Sequence, residues 1–333
     1  MKNGILKFGE SAAIAAAASV VGKYESEGPI GDCFDLHDAT DKFGKDTWER
    51  AESEMQRRAL AVAMQKWGKS EVQLGAILAG DLLNQCIGSA YGMLEYGTPY
   101  FGLYGACSTA ALGLMLGAIL VDAGHVRYAA SVTSSHNSAA ERQYRTPLEY
   151  GAQRTPTAQW TVTGASAFVL GREQGCARIT QAMPGIPLEM GIRDAANMGA
   201  AMAPAAVDTL ERYFAASGTS PDDFDAIVTG DLGWEGSAIF CDLLHADGID
   251  VQGKHTDCGT MIFSRHTQDT HAGGSGCGCS GVVTAAYFLP KLASGEMRDI
   301  LLIGTGAMMS PDALKQGHCI PAIGHLVRLK GGI

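Results

Sequence analysis

Residues 68–82 read GKSEVQLGAILAGDL, and residues 218–232 read GTSPDDFDAIVTGDL. Gly68, Ser70, Ala76, Ile77, Gly80, Asp81 and Leu82 recur 150 positions later, without a gap, as Gly218, Ser220, Ala226, Ile227, Gly230, Asp231 and Leu232. Seven matches in fifteen make an internal repeat. A helical pattern precedes each copy. In the first, Trp48, Ala51, Met55, Val62 and Ala63 share one face, opposite Glu49, Glu52 and Arg57, and Asp46 or Thr47 can cap the start. In the second, Leu210, Tyr213 and Phe214 supply the apolar face. A further similarity follows each copy, in Gly105–Ser135 and in Gly276–Ala307. Each is a small-residue turn, an apolar helix and a strand. The runs AILAG, YAASVTS, AIVTG and DILLIGTG are continuously apolar, as expected for parallel strands buried on both faces. The pattern predicts two similar α/β halves, residues 1–172 and 173–333, meeting near the polar stretch Gly171–Gly175 in one pseudo-symmetric body.

Composition limits what such a body does. The chain has 333 residues, 46% of them hydrophobic and 18% charged, so a large core is available and wholesale disorder is excluded. A formal charge of −10 argues against nucleic acid, which needs a concentrated basic face. It also argues against direct adhesion to anionic lipid. Nine cysteines, without Cys-x-x-Cys modules, point to a reducing, cytosol-like compartment. Ser11–Val21 has the outline of a secretory signal, but Glu10 precedes its alanine-rich run, and the run is too short to span a bilayer. A buried first strand is the expectation.

Ligands of open α/β sheets bind beyond the carboxyl ends of the strands. Asp81, Asn84, Gln85, Cys107, Ser135, His136, Asp231, Gly273 and Gly274 all fall in such places and form the candidate site. Cys107 is the sharpest of them. It lies between the turn Gly105-Ala106 and an apolar helix, where the helix N-terminus would favour a thiolate or a bound anion. Asp81 and Asp231 either cap the helices after their strands or face a pocket. Cys277 and Cys279 read as small residues in a packed turn, because a zinc site would need further ligands at suitable spacing.

The duplicated plan with GACST at 105–109 resembles the thiolase fold, a five-layered αβαβα body of two pseudo-symmetric halves. GDLLNQ, GLYGACST, TSSHNSAAERQYRTPLEYG, TAQWTVTGA, AMAPAAVDT, DCGTMI, HAGGSGCGCS and TGAMMSP are similar to the stage V sporulation protein AD family from about Ala12 to Val327. That resemblance implies a sporulation protein that binds dipicolinic acid in the pocket matching the thiolase active site. It implies support for dipicolinate uptake into the developing spore, as the soluble partner of membrane proteins of the same operon. The expected location is the cytoplasm of forespore or mother cell, peripheral at the membrane through those partners. A homodimer is expected from the fold family, and no cofactor beyond calcium arriving with the ligand.

The resemblance also implies lost catalysis. Condensing enzymes of this fold carry a histidine where this chain reads TGDLGWEG, with Asp231, and an asparagine where it reads HAGGSG, with Gly273 and Gly274. Three readings stay open on the residues alone. The first is a non-catalytic binder using Ser, Asn and Gln donors with His136, Arg142 or Arg145; in it Asp81 meets calcium, is protonated, or holds a donor in place. The second is an acyltransferase with Cys107 as nucleophile and His136 or His271 as base. The third is a scaffold whose pocket is a relic.

Overall fold

The computed structural model describes residues 4–9, 12–144 and 154–332. Ten strands form its framework. The first five are β1 (Ala13–Val21), β2 (Ala76–Gly80), β3 (Tyr100–Gly102), β4 (Tyr128–Ser135) and β5 (Gly164–Gly171). The next five are β6 (Ala177–Met183), β7 (Ala226–Thr229), β8 (His255–Asp257), β9 (Asp299–Ala307) and β10 (Ala322–Lys330). Hydrogen bonds join them in the order β3-β2-β4-β5-β1-β6-β10-β9-β7-β8. The first set therefore runs β3-β2-β4-β5-β1 and the second β8-β7-β9-β10-β6, the same order taken from the two outer edges. Pairing direction matches as well. β3, β2 and β4 are parallel, as are β8, β7 and β9, while β5 and β10 run antiparallel to both of their neighbours. The sets meet where Ala13 and Ile14 pair with Arg178 and Ala177.

Among the helices are α1 (Trp48–Trp67), α2 (Thr109–Asp122), α3 (Asn137–Tyr144), α4 (Met198–Ser217), α5 (Gly233–Ala246) and α6 (Cys277–Val283). Both ends of α1 and α4 differ by 150 positions, and each helix stops at a left-handed glycine, Gly68 at φ 73° and Gly218 at φ 72°. The 3₁₀ turns Glu71–Gln73 and Pro221–Asp223 follow at the same spacing. The repeat in the sequence is thus a repeat in the backbone.

Side-chain alternation along the strands builds the layers. Ile77, Ala79, Ala130 and Val132 pack outward against Ala51, Met55 and Ala63 of α1. Ile227, Leu301 and Ile303 do the same against Met202, Ala206 and Leu210 of α4. The opposite faces, with Leu78, Ala129, Val228, Ile300 and Leu302, close on Leu114, Met115 and Ala118 of α2 and on Val282 and Val283 of α6. α1, the first sheet set, α2 with α6, the second sheet set and α4 are the five layers of a thiolase-like αβαβα fold.

Several expectations hold and others need correction. Ala13–Val21 is a strand buried along nearly its whole length, and Thr47 caps α1 by accepting from the Arg50 N–H. The four apolar runs are strands, but the halves are mixed rather than parallel throughout. β5 and β10, each antiparallel to both neighbours, are absent from the sequence reading. Glu52 was placed on the solvent face of α1; its carboxyl is instead fully buried and accepts from Ser134 Oγ at 2.8 Å. Among the described residues, no helix is long and apolar enough to cross a membrane.

Another buried acid makes a testable consequence. Glu25 is fully buried, accepts the Thr163 N–H at 2.8 Å, and leaves its second oxygen without a partner. Burial, reinforced by the nearby Asp41, pushes its carboxyl up to about 8. The folded state thus prefers the protonated acid. Its stabilising contribution is complete below the ordinary pKa of 4.5 and disappears as pH rises through about 8. Glu25→Gln keeps the acceptor and removes the titration. Its urea midpoint is expected to match the parent at pH 4.5 and to exceed it at pH 9; a difference independent of pH would refute this.

Candidate functional site

The site begins at the turn before α2. Ala106 has φ 48°, a left-handed conformation that costs an alanine roughly 1 kcal/mol. Three short bonds hold it: Ser108 Oγ donates to Gly105 O at 2.6 Å, Thr109 Oγ1 donates to Ala106 O at 2.6 Å, and Gly105 N donates to Thr109 Oγ1 at 3.0 Å. The next residue, Cys107, is thereby raised at the head of α2, 5% exposed, on the floor of a cavity of about 90 Å³. Leu82, Tyr104, Tyr144, Met198 and Met309 wall it, and Ser275 faces the thiol across it. Cys107 Sγ and Ser275 Oγ are 3.8 Å apart.

Asp231 lies behind this pair. Its Oδ2 accepts from Gly276 N at 2.8 Å and from Ser275 Oγ at 3.1 Å, and its Oδ1 accepts from Thr305 Oγ1 at 2.7 Å. Burial raises the Asp231 carboxyl even against these donors. Burial first, and then the Asp231 charge, push the Cys107 thiol far above its ordinary range. Burial, with a carboxylate beside the sulfur, therefore works against the thiolate expected from the helix terminus.

Of the predicted residues, the fold brings Cys107 and Asp231 together, with Gly274 adjoining Ser275. Gly273, at φ 104°, and Gly274 act through backbone alone: Gly273 O accepts from Trp160 N, and Gly274 O accepts from Gln159 Nε2. Asp81 does not line the cavity. Its oxygens accept from Leu83 N at 2.8 Å, Ser89 N at 2.7 Å and Ser89 Oγ at 2.6 Å, so it caps its own turn. Asn84 and Gln85 are exposed on a separate shallow cleft with Arg142, and Arg142 pairs with Glu49 at 3.2 Å.

The remaining candidates are structural. Ser135 donates to Val162 O at 2.7 Å and accepts the Gly278 N–H at 3.2 Å, anchoring α6. His136 is buried against Trp48 with Nε2 2.8 Å from Asp41 O, and burial lowers its pKa. His271 is taken by Thr155 O and by Asp269. Arg145 lies outside the described residues. Cys277 and Cys279 are fully buried as small packing residues, but they open helix α6 rather than forming a turn. Among the described residues, no group of three or more His, Cys, Asp and Glu is arranged to hold a metal ion.

Tyr104 and Tyr144 were missed from sequence, and Ser275 was not singled out. Ser275 sits inside the glycine run and was passed over for its neighbours. Tyr104 directly precedes the GACST turn, and Tyr144 ends α3. Their hydroxyls are 3.2 Å apart, and Tyr144 donates to Leu82 O at 2.6 Å. Burial raises the pKa of both, so they remain neutral phenols.

The geometry has relatives. Across residues 3–330 the sequence matches the profile of the family described as Stage V sporulation protein AD. The chain belongs to the stage V sporulation protein AD family. Stage V sporulation protein AD of Bacillus subtilis (strain 168) is 40% identical over 312 residues, 94% of this chain and 92% of that protein. Among solved structures, cerulenin-bound OleA of Xanthomonas campestris aligns with a TM-score of 0.61 at 16% identity, covering 99% of each chain. The 3-oxoacyl-[acyl-carrier-protein] synthase III of Aquifex aeolicus VF5 aligns with a TM-score of 0.57 at 11% identity, over 96% of this chain and 99% of that one. At such identities these two share the fold alone. The chain is a thiolase-like member of a sporulation family.

Proposed function

We propose that this member of the stage V sporulation protein AD family is a non-catalytic binder of dipicolinic acid, taken as the free acid or as its calcium chelate. In this reading it supports movement of the ligand into the developing spore. Membrane proteins of the same operon hold it at the membrane from the cytoplasmic side. The observation that carries the proposal is the pairing of Cys107 with Asp231. A carboxylate stands where a nucleophilic thiol needs a base, while the small cavity above the thiol stays built. Tyr104 and Tyr144 supply flat apolar walls, which suit a small aromatic ring. Glu141, also in the lining, is an oxygen donor for a calcium ion carried in by the ligand.

Isothermal titration with dipicolinic acid, with and without calcium, tests this. One saturable site per chain is expected in at least one condition. Absence of binding in both would leave the cavity as a relic.

A further inference from the structure

The two halves treat the same turn differently. After β2 the chain turns at Asp81-Leu82-Leu83, and after β7 at Asp231-Leu232-Gly233. In the first half Asp81 spends its own carboxylate on the turn, accepting the Leu83 N–H at 2.8 Å. In the second half the corresponding N–H, that of Gly233, is held at 3.0 Å by Asp257 Oδ1, and Leu232 N is held at 2.8 Å by Asp257 Oδ2. Asp257 ends the neighbouring strand β8. Thr229 pairs with Asp257 in that register, as Ala79 pairs with Gly102 in the first half. Position 102 is a glycine, so no side chain there can reach the turn, and Asp81 must cap it alone.

We propose that Asp257 is the positioning residue of the Cys107 cavity: by taking over the turn, it releases the Asp231 carboxylate to face Cys107, Ser275 and Gly276. The inference rests on reading that cavity as the site. Asp257 is 1% exposed, and four donors fix it, the others being Thr229 Oγ1 at 2.7 Å and Thr260 N at 3.1 Å. Thr229 is itself 2.8 Å from His255 Nε2, so the arrangement extends through β8. The titratable groups facing Asp257 are Asp231 from the end of β7, His255 on its own strand, Cys258 beside it and Cys279 on α6. Losing Asp257 would leave the Leu232 and Gly233 N–H groups buried and bare. Asp231 would then fall back onto its own turn, as Asp81 does.

Cys107 reports this directly. Its alkylation by iodoacetamide is to be followed by peptide mass spectrometry from pH 7 to 10, without dipicolinate, in the parent, Asp231→Asn, Asp257→Asn and the double variant. Because no ligand is present, failure of dipicolinate binding would not affect the outcome. Asp231→Asn is expected to raise the rate at pH 8 about tenfold, because the charge beside the buried sulfur is removed. Asp257→Asn is expected to give the same increase and the same shift of the pH profile, and the double variant no more than either. A folded Asp257→Asn protein at the parental rate, or two effects that multiply, would overturn the proposal. Should Asp257→Asn not fold, Thr229→Val, which removes one donor from the same carboxylate, is expected to give a rate between parent and Asp231→Asn. A parental rate there overturns it equally.

Discussion

Replacing Ala140 with phenylalanine is expected to weaken dipicolinate binding at least about 100-fold, equivalent to about 2.7 kcal/mol, while the melting temperature stays within a few degrees of the parent. Ala140 is 3% exposed on α3, and its methyl group lines the cavity over Cys107. A ring there is expected to fill the cavity, so the loss falls on the ligand. Asp81 provides the contrast. The sequence places it in the pocket, which predicts weaker binding with unchanged melting. The structure reverses both expectations. Asp81→Ala strips three buried donors of their acceptor, at roughly 1–3 kcal/mol each, and lowers the melting temperature by several degrees. Its affinity for dipicolinate is expected to remain that of the parent. Calorimetry paired with thermal melts separates the cases. Parental affinity in Ala140→Phe, or lost affinity in a folded Asp81→Ala protein, would place the ligand away from Cys107.

Why the sequence disclosed the fold and only part of the site follows from how each is encoded. The repeat at 68–82 and 218–232 reflects backbone constraints: a left-handed glycine after a helix, a 3₁₀ turn, then a strand buried on both faces. Such constraints select residue types at fixed spacing, and duplication displays them twice. The GACST turn is legible for the same reason, since Ala106 and the two hydroxyls after Cys107 form a local device. The site depends instead on which way a carboxylate turns after its strand. Asp81 and Asp231 look alike because they are alike locally. They diverge through Gly102 and Asp257, each brought beside its aspartate by strand pairing rather than by chain proximity. Ser275, likewise, meets Cys107 across 168 positions of sequence. Glu52 shows the limit of periodicity, because an acid on an amphipathic helix reads as exposed until the fold sets Ser134 against it.

The unmodified chain is expected to show no acyl transfer from acyl-CoA. Acylation of Cys107 requires its proton to leave. In this cavity the nearest acceptor is Asp231, and the ordinary pKa values, about 8.5 for a thiol and 3.9 for an aspartate, put that transfer roughly 6 kcal/mol uphill. A histidine, near 6.5, would need about 3 kcal/mol, so the exchange alone lowers the reactive population by roughly two orders of magnitude. Oxyanion stabilisation is impaired too. The Gly276 N–H and the Ser275 hydroxyl both point at Asp231, at 2.8 and 3.1 Å, and neither is left for a developing alkoxide. A missing oxyanion donor removes a further 10²–10³-fold, roughly, from turnover. Together these losses predict an intact mass unchanged after incubation with acyl-CoA and no release of free CoA above the buffer rate. Asp231→His is expected to restore thiol reactivity toward iodoacetamide. A stoichiometric acyl adduct on Cys107 in the unmodified chain would instead make the protein a working acyltransferase. The Asp231 carboxylate would then have to serve as its base.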